Sequence, residues 1–440
     1  MELTASTHLN DQGITTMKRT LTPILLLSLL VLSLATGCPE ENNANNAGNN
    51  SENNENNENN DSSDATPDST TQDETKDEGA GEEDETQDEV QDEEADEDIP
   101  VASGWSKRSL ACRSGIPYIA LHFDDVNGYM GCGEAAAGAG LFVTTDKGQS
   151  WSTTRKFSGA RVVDVRRGPD GKLYGAGKGT DGFRAWEIDD ADLEPNKLQF
   201  VGVFRPETTS AFKKIERAQN VVRTEDGQML VDSSLNRATA YRASDADEWN
   251  ELEYVGEKDT SVFLTRVKAL NNKFYGVGST IATPVEVHLP SKTEPSPIFT
   301  TIRPLNNRTG ELQELHVWSE TKMIVTGVNN SNNEPLILIG EGDLYDTDNW
   351  KQVEVFDSGI EYKANIRGMA VKGDTVVVVG GKVPTAKGGF ILKSEDAGET
   401  WTDITPTDQG KVNRLWNVWM WDNGDLFVAG EQEAWFFKND

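Results

Sequence analysis

From residue 101 onward, short apolar runs alternate with polar turns, and one arrangement of these runs recurs along the chain. An apolar strand and a polar turn lead into a second strand, whose last residue is glycine in six copies and serine in one. These last residues are Gly133, Gly177, Ser233, Gly278, Gly327, Gly380 and Gly430. Their mean spacing is about 49.5 residues, and a repeat of that length with several strands is typical of a β-propeller. The pattern predicts an all-β, seven-bladed β-propeller over residues 101–440.

The two ends of this region are predicted to meet. The seventh repeat stops at residues 435–440, where a fourth strand should begin, whereas residues 104–109 form an isolated strand-like segment that carries Trp105. Pairing of the two segments would close the ring and remove the exposed sheet edges that favour aggregation. A two-sheet sandwich with coincident turns is the alternative fold, but it would not keep the constant phase of the repeats.

Two eight-residue stretches share the pattern Ser/Thr-x-Asp-x-Gly-x-x-Trp. Their defining residues are Thr144, Asp146, Gly148 and Trp151 in the first stretch, and Ser394, Asp396, Gly398 and Trp401 in the second. The aspartate can accept hydrogen bonds from a tight turn, the glycine can take a positive φ, and the tryptophan can bury its ring against a neighbouring sheet. The pattern resembles the Asp-box (BNR) repeat, which implies a structural hairpin. Residues 244–249 and 346–350 resemble shortened copies that lack the glycine.

The formal net charge of −33 is concentrated in one segment. Residues 39–100 contain 24 acidic residues and one lysine, which leaves a net charge of −10 for residues 101–440. The segment has no aromatic residue and almost no large aliphatic residue, so we expect residues 38–100 to form a disordered acidic linker. Neither part has the basic face that nucleic-acid binding requires, and no nucleic-acid partner is expected.

The N-terminal residues carry an export signal. A basic pair follows Met17, which is a better start than Met1, and the apolar run from Leu21 to Leu34 is too short to span a membrane comfortably. The run ends in small residues before Cys38, which resembles a bacterial lipobox with its leucine one place early. That resemblance implies a signal peptide over residues 1–37, a lipidated Cys38, and a protein anchored in the bacterial cell envelope, at the outer membrane or cell surface. An ordinary signal peptide is the alternative.

The other cysteines and the histidines give few indications of chemistry. Cys112 and Cys132 remain as a pair in an exported protein, which favours a disulfide, with two buried thiols as the alternative. The four histidines lack metal-ligand spacing, and the sequence contains no nucleophile elbow, phosphate loop or zinc motif. We therefore predict no metal, cofactor or catalytic residue.

Two family resemblances imply different functions. Asp-box propellers include the sialidases, a resemblance that implies an arginine triad with acid and tyrosine catalysts, but the Arg-Ile-Pro motif is absent and residues 204–206 lack its isoleucine. The region also resembles the photosystem II stability/assembly factor family, which implies a non-enzymatic binding scaffold over most of residues 101–440. The prediction is a non-catalytic, envelope-anchored binding or scaffolding propeller for an envelope or extracellular protein or an anionic or carbohydrate ligand. A sialidase-like glycoside hydrolase is the alternative, although sequence cannot select a carboxylate pair.

Arginines recur near the start of the predicted innermost strands. Three of them precede a turn glycine by ten residues, and two more occupy similar places; the five are Arg161, Arg217, Arg266, Arg367 and Arg414. Because innermost strands begin at one mouth of the central channel, these guanidinium groups are predicted to form a cationic ring that binds carboxylates or other anions. The alternative is that each arginine pairs with a nearby acid.

Overall fold

The computed structural model describes residues 104–108, 110, 112, 119–132, 140–154, 160–179, 182–190, 199–204, 218–233, 239–245, 247–251, 264–278, 284–293, 299–305, 308–330, 333–355, 364–382, 388–406 and 411–439. All of them belong to one compact unit, Val90–Asp440. The predicted signal peptide, the acidic linker, Cys38 and Arg217 lie outside the described residues. Within the ranges given above, no helix has the length and apolar character needed to cross a membrane.

Seven four-stranded antiparallel sheets form seven blades, which confirms the predicted fold. The strands are numbered in chain order, and the first is β1 (Trp105–Arg108). Blade 1 contains β2 (Ile119–Asp124), β3 (Asn127–Cys132), β4 (Gly140–Thr144) and β5 (Ser152–Thr153); blade 2 contains β6 (Arg161–Arg167), β7 (Leu173–Gly179), β8 (Gly182–Asp189) and β9 (Gln199–Phe204). Blade 3 contains β10 (Ala218–Arg223), β11 (Met229–Ser233), β12 (Thr239–Arg242) and β13 (Asn250–Glu251); blade 4 contains β14 (Arg266–Leu270), β15 (Lys273–Gly278), β16 (Glu286–Pro290) and β17 (Phe299–Ile302).

The remaining blades follow the same order. Blade 5 contains β18 (Gly310–Ser319), β19 (Lys322–Asn329), β20 (Glu334–Glu341) and β21 (Trp350–Gln352), with a short 3₁₀ helix at Thr347–Asn349; blade 6 contains β22 (Ala364–Lys372), β23 (Thr375–Lys382), β24 (Gly389–Ser394) and β25 (Thr402–Asp403). Blade 7 contains β26 (Leu415–Met420), β27 (Leu426–Gly430) and β28 (Ala434–Phe437), and β1 completes it.

Strand β1 closes the ring as its outermost strand in blade 7. It pairs antiparallel with β28, so that Trp105 lies opposite Phe437 and Arg108 lies opposite Ala434. Trp105 is 2% exposed, and its ring centroid lies 5.0 Å from that of Phe437. The closure predicted from residues 104–109 is therefore confirmed.

The core lies between the blades, because each sheet is covered on both faces by its neighbours. Strand β23 shows this arrangement: Val376 and Val378 pack against a cluster that includes blade 5, whereas Val377 and Val379 pack against blade 7. All four valines are completely buried. A strand buried on both faces is continuously apolar instead of alternating, and this is the pattern seen in the second strands of the repeats.

The two Ser/Thr-x-Asp-x-Gly-x-x-Trp stretches form turns with one hydrogen-bond pattern. In the second stretch, the Ser394 hydroxyl donates to Asp396 Oδ1 (2.7 Å) and accepts the Gly398 N–H (2.8 Å), and Asp396 Oδ1 accepts the Thr400 N–H (2.8 Å). Thr144 and Asp146 make the equivalent contacts in the first. Gly148 and Gly398 have φ of +81° and +96°, as their turns were predicted to require.

These turns pack their tryptophans between blades. Trp151 lies 5.9 Å from Phe427 of blade 7, and Trp401 joins the cluster between blades 5 and 6. The Thr400 hydroxyl and backbone N–H lower the pKa of Asp396 to about 2. A carboxyl with a lowered pKa stabilises the fold above its ordinary pKa, and that contribution is lost as the pH falls through about 2.

Cys112 and Cys132 are joined in a disulfide, with their Cα atoms 5.6 Å apart. Cys112 precedes β2, and Cys132 is the last residue of β3. Both are buried in the cluster between blades 7 and 1, where the bridge fixes the start of the first blade next to the closing blade.

Candidate functional site at the mouth of the central channel

The first strand of each blade lies at the inner edge of its sheet. These inner strands are β2, β6, β10, β14, β18, β22 and β26, and each contacts the inner strand of the next blade around the ring. Their side chains therefore line the central channel, and the residues at their N-terminal ends lie at one of its mouths.

Five inner strands contain a β-bulge near this end. In each, the pairing with the second strand skips one residue, and the skipped residues are Val163, Gln219, Gln313, Arg367 and Trp416. A bulge leaves its extra residue unpaired and changes the direction of the side chain. The same position in five blades therefore points out of the regular sheet.

The recurring glycine of the sequence makes room for this bulge. Gly177, Gly327 and Gly380 each pair with the residue just before the skipped one. A Cβ atom at Gly177 would lie 1.8 Å from the carbonyl oxygen of Arg161, and at Gly327 it would lie 2.0 Å from that of Glu311. In these three blades, the glycine that marks the sequence repeat is therefore required by the bulge that builds the mouth.

The five skipped residues line a small cavity together with Ile119 of β2, Arg266 of β14 and Thr265, which directly precedes β14. We call it the mouth cavity; its lining residues are Ile119, Val163, Gln219, Thr265, Arg266, Gln313, Arg367 and Trp416, one or two from each of the seven blades. Its volume is about 40 Å³, which accommodates one small polar group or a few water molecules, since a single water requires about 10–15 Å³ of such space. Two guanidinium groups and two amides supply its polar surface.

Below the mouth cavity, the residue that follows four of the five bulges contributes to a polar belt, together with Arg266 of β14. We define this belt as Asp164, Asn220, Arg266, Glu314 and Asn417, which link neighbouring blades. The Asn220 amide donates to the Thr265 carbonyl (3.2 Å), and the Asn417 amide donates to the Ile119 carbonyl (2.8 Å). Arg266 pairs with Glu314 of the next blade at 2.5 Å. The belt fixes the inner strands relative to one another directly beneath the bulges.

Burial and the neighbouring groups shift the pKa in opposite directions, both for Arg266 in the belt and for Asp232 behind it. Burial alone would lower the pKa of Arg266, but the carboxylates of Glu314 and Asp164 outweigh it and raise that pKa. Asp232 lies behind the belt on β11, 1% exposed, and accepts hydrogen bonds from the backbone N–H and side-chain amide of Asn220. Burial raises the pKa of Asp232 to about 7, against the effect of these hydrogen bonds.

The structure brings some of the five predicted arginines together. Arg266 and Arg367 line the mouth cavity. Arg414 precedes β26, and its guanidinium lies 5.8 Å from the ring centroid of Trp416, over which Arg367 also stacks at 4.8 Å. Arg161 begins β6 but does not line the cavity, and Arg217 lies outside the described residues. The ligand-binding role of these arginines stays a prediction.

The four arginines that the structure describes do not share one register. Arg161 and Arg414 precede the skipped residue of their strands by two positions, Arg367 is itself a skipped residue, and Arg266 belongs to the polar belt. Counting back from the turn glycine cannot reveal a bulge. For the same reason the sequence reasoning missed Gln219, Gln313 and Trp416, although the recurring glycine was the signal that could have located them.

The described lining of the mouth cavity contains no tyrosine, aspartate or glutamate. The nearest carboxylates of the belt are held by guanidinium groups: Asp164 by Arg166 at 2.8 Å and Glu314 by Arg266. Among the residues with described positions, no group of three His, Cys, Asp or Glu side chains could hold a metal ion. Binding of an anionic group is the chemistry that this arrangement can perform.

Comparison with known proteins identifies the class of fold. No protein-family model matches the chain, and no curated protein matches its sequence. Among solved structures, the chain is similar to one described as YCF48 bound to D1 peptide, with a TM-score of 0.51, 14% identity, and coverage of 77% of this chain and 97% of that one. YCF48 from Cyanidioschyzon merolae gives a TM-score of 0.51, 14% identity, and 76% and 98% coverage.

A streptogramin B lyase structure is similar to the same degree, with a TM-score of 0.52, 8% identity, and 76% and 97% coverage. All three likenesses show a shared β-propeller fold and nothing more specific at these identities. Because they include both a peptide-bound protein and a lyase, the fold does not choose between binding and catalysis. That choice depends on the chemistry of the mouth.

Proposed function

We propose that this protein is a non-catalytic binding propeller whose mouth cavity receives an anionic group of an extracellular or envelope protein, in particular the carboxylate at the end of a polypeptide chain. The observation that carries this proposal is the convergence of Arg266 and Arg367 with the amides of Gln219 and Gln313 in one small cavity. A guanidinium group offers paired donors that match the two oxygens of a carboxylate.

The packing around Trp416 supports this assignment. Trp416 is 8% exposed, and the guanidinium groups of Arg367 and Arg414 lie 4.8 Å and 5.8 Å from its ring centroid. Stacking on an indole restrains a guanidinium, so less conformational freedom is lost when a ligand binds. The ring also forms an apolar wall beside the charges, which strengthens their interaction with a bound anion.

The cavity volume favours a chain end over a sugar. A space of about 40 Å³ accepts a carboxylate, whereas a sugar ring would have to remain outside it. The peptide bound to the similar YCF48 structure is consistent with a peptide ligand. The described lining contains no acid for the sialidase-like alternative, and Glu314, the belt acid beside Arg266, is held in an ion pair with it.

The expected effect of Arg367→Gln is at least about a tenfold loss of affinity for peptides that end in a free carboxylate, the equivalent of one charge-assisted hydrogen bond. The probe is an array of ten-residue peptides attached through their N-termini, with the last four residues randomised. The fluorescently labelled full chain is bound to the array, and the strongest peptides are then titrated in solution.

Arg308→Gln is the matched control, because it removes the same charge from an exposed arginine that contacts Gln352. The double variant Arg266→Gln and Glu314→Gln removes the buried ion pair as a unit and avoids leaving Glu314 unpaired. Binding that both cavity variants retain at wild-type strength, with normal melting curves, would refute the proposed site.

We also propose that the protein is anchored in the cell envelope through a lipid on Cys38, with residues 39–100 as a solvated spacer. A flexible chain of some 60 residues spans roughly 45 Å, and self-repulsion of its acidic residues extends it further. Metabolic labelling with an alkyne fatty acid is expected to tag the wild-type protein and not Cys38→Ala. Absence of label from both would instead indicate a soluble exported protein.

A further inference from the structure

A second group of basic side chains lies deeper in the channel. Arg166, Lys268 and His316 each lie two residues beyond the polar belt, on β6, β14 and β18, and they pair with equivalent positions of their second strands. Side chains two residues apart in a strand share a face, so these three point toward the channel like the belt residues above them. We call this group the channel triad.

The members of the channel triad differ in how they are satisfied. Arg166 donates to the Val267 carbonyl (3.1 Å) and pairs with Asp164 (2.8 Å), so its hydrogen-bonding capacity is largely used. Lys268 makes no ion pair or hydrogen bond with any residue that the structure describes, and it is partly exposed. Lys268 is therefore the charged member of the triad that forms no ion pair with a described residue.

The charges around Lys268 oppose its own. Burial, and then the positive charges of Arg166 and Arg266, lower the pKa of Lys268 to about 8, against the attraction of Glu314 and Asp164. Both of these carboxylates are already paired with guanidinium groups. Burial and the charge of Lys268 lower the pKa of His316 to about 4, so the imidazole is neutral at pH 7 and can donate one N–H.

We infer that the channel triad is a second anion site, distinct from the mouth cavity, which holds a small oxyanion between the Lys268 ammonium and the His316 imidazole, with Arg166 and Arg266 supplying further positive charge. An anion in this position would give the Lys268 ammonium an acceptor and offset the repulsion among the charges of Lys268, Arg166 and Arg266. The ligand class is a free oxyanion of the size of phosphate, because the donors come from three blades whose inner strands line one channel.

Thermal unfolding of the full chain tests this site. In this assay, chloride is replaced by inorganic phosphate at concentrations from 0.1 to 20 mM, with ionic strength held constant at pH 7. Because a ligand stabilises the state that binds it, the wild-type melting temperature is expected to rise by about 3 °C across this range. Lys268→Met is expected to lose that rise and to melt no lower than the wild type at the lowest phosphate concentration.

Lys273→Met is the matched control, because it removes a lysine of the same blade that pairs with Glu320 at the surface; it should keep the phosphate response. Arg367→Gln should keep it as well, so that failure of the mouth site and failure of the channel site are distinguishable. An equal rise in wild type and Lys268→Met, or no rise in the wild type, would overturn the inference.

A measurement on the wild type avoids dependence on the folding of Lys268→Met. Brief acetylation followed by mass spectrometry reports the reactivity of each lysine. Phosphate at 20 mM is expected to slow acetylation of Lys268 at least fivefold and to leave Lys273 unchanged. Equal reactivity of Lys268 with and without phosphate would contradict the site.

Discussion

Deletion of residues 104–109 is expected to lower the melting temperature by about 10 °C or more, on the scale that several kcal/mol produces in a chain of this size. The deletion removes β1, leaves the β28 edge of blade 7 unpaired, and exposes the surface that Trp105 and Phe437 cover together. Substituting Trp105 alone by alanine should cost about 3–5 kcal/mol, the usual range for a buried large aromatic residue.

Lys107→Ala is the control for the closing strand, because the Lys107 side chain is 64% exposed, and its buried partner Glu433 keeps the hydrogen bond that it accepts from the Asn413 N–H (2.7 Å). It should melt within a degree or two of the wild type. The measurement is differential scanning calorimetry of the full chain. A deletion variant that unfolds at the wild-type temperature would mean that the ring does not depend on β1.

Gly177→Ala adds a single methyl group, and we expect it to distort the backbone at the mouth and to destabilise the protein strongly. Its Cβ would lie 1.8 Å from the Arg161 carbonyl oxygen, so the bulge that presents Val163 must move. Overpacking costs about 1–3 kcal/mol and sometimes more, and here the obstacle is backbone, so we expect at least about 3 kcal/mol. Chemical denaturation provides the measurement.

Gly175→Ala is the matched control on the same strand. Its Cβ would meet only ordinary or slightly tight contacts, beginning at 3.3 Å with Ile188 and Trp186, so a loss of about 1 kcal/mol or less is expected. The two variants add the same atom two residues apart. Equal destabilisation by both would show that the carbonyl of the bulge does not set the requirement for glycine.

The sequence allowed the fold to be predicted because local chemistry repeats in every blade. The glycine period, the tight turns at Asp146 and Asp396, and the isolated strand at Trp105 each require only residues close in sequence, and together they fix blade number and closure. Each of these features has one structural solution, so their agreement leaves little freedom in the topology.

The mouth was harder to predict, because its geometry depends on a one-residue shift within each inner strand. A bulge reverses the face on which every later residue lies, so Arg266 and Arg367, which look equivalent in sequence, enter the cavity from different positions. The stacking of two guanidinium groups on Trp416 joins blades 6 and 7 and has no local sequence signal.

The channel triad could not be predicted from the sequence either. Lys268 and His316 are unremarkable in sequence, and only the closed ring brings their strands next to Arg166 and the belt. Long-range electrostatics of this kind depends on which strands become neighbours. The sequence pattern of one strand does not reveal its neighbours. The role of a residue in a propeller channel therefore follows from the register of its blade.

The most direct test of the central claim compares one peptide in two forms, with a free C-terminal carboxylate and with a C-terminal amide. The peptide is the strongest binder from the array, titrated into the full chain by calorimetry. If the mouth cavity receives the chain end through Arg266 and Arg367, the amide should bind at least about tenfold more weakly, and Arg367→Gln should reduce that difference. Equal affinity of the acid and the amide for the wild-type protein would contradict the account.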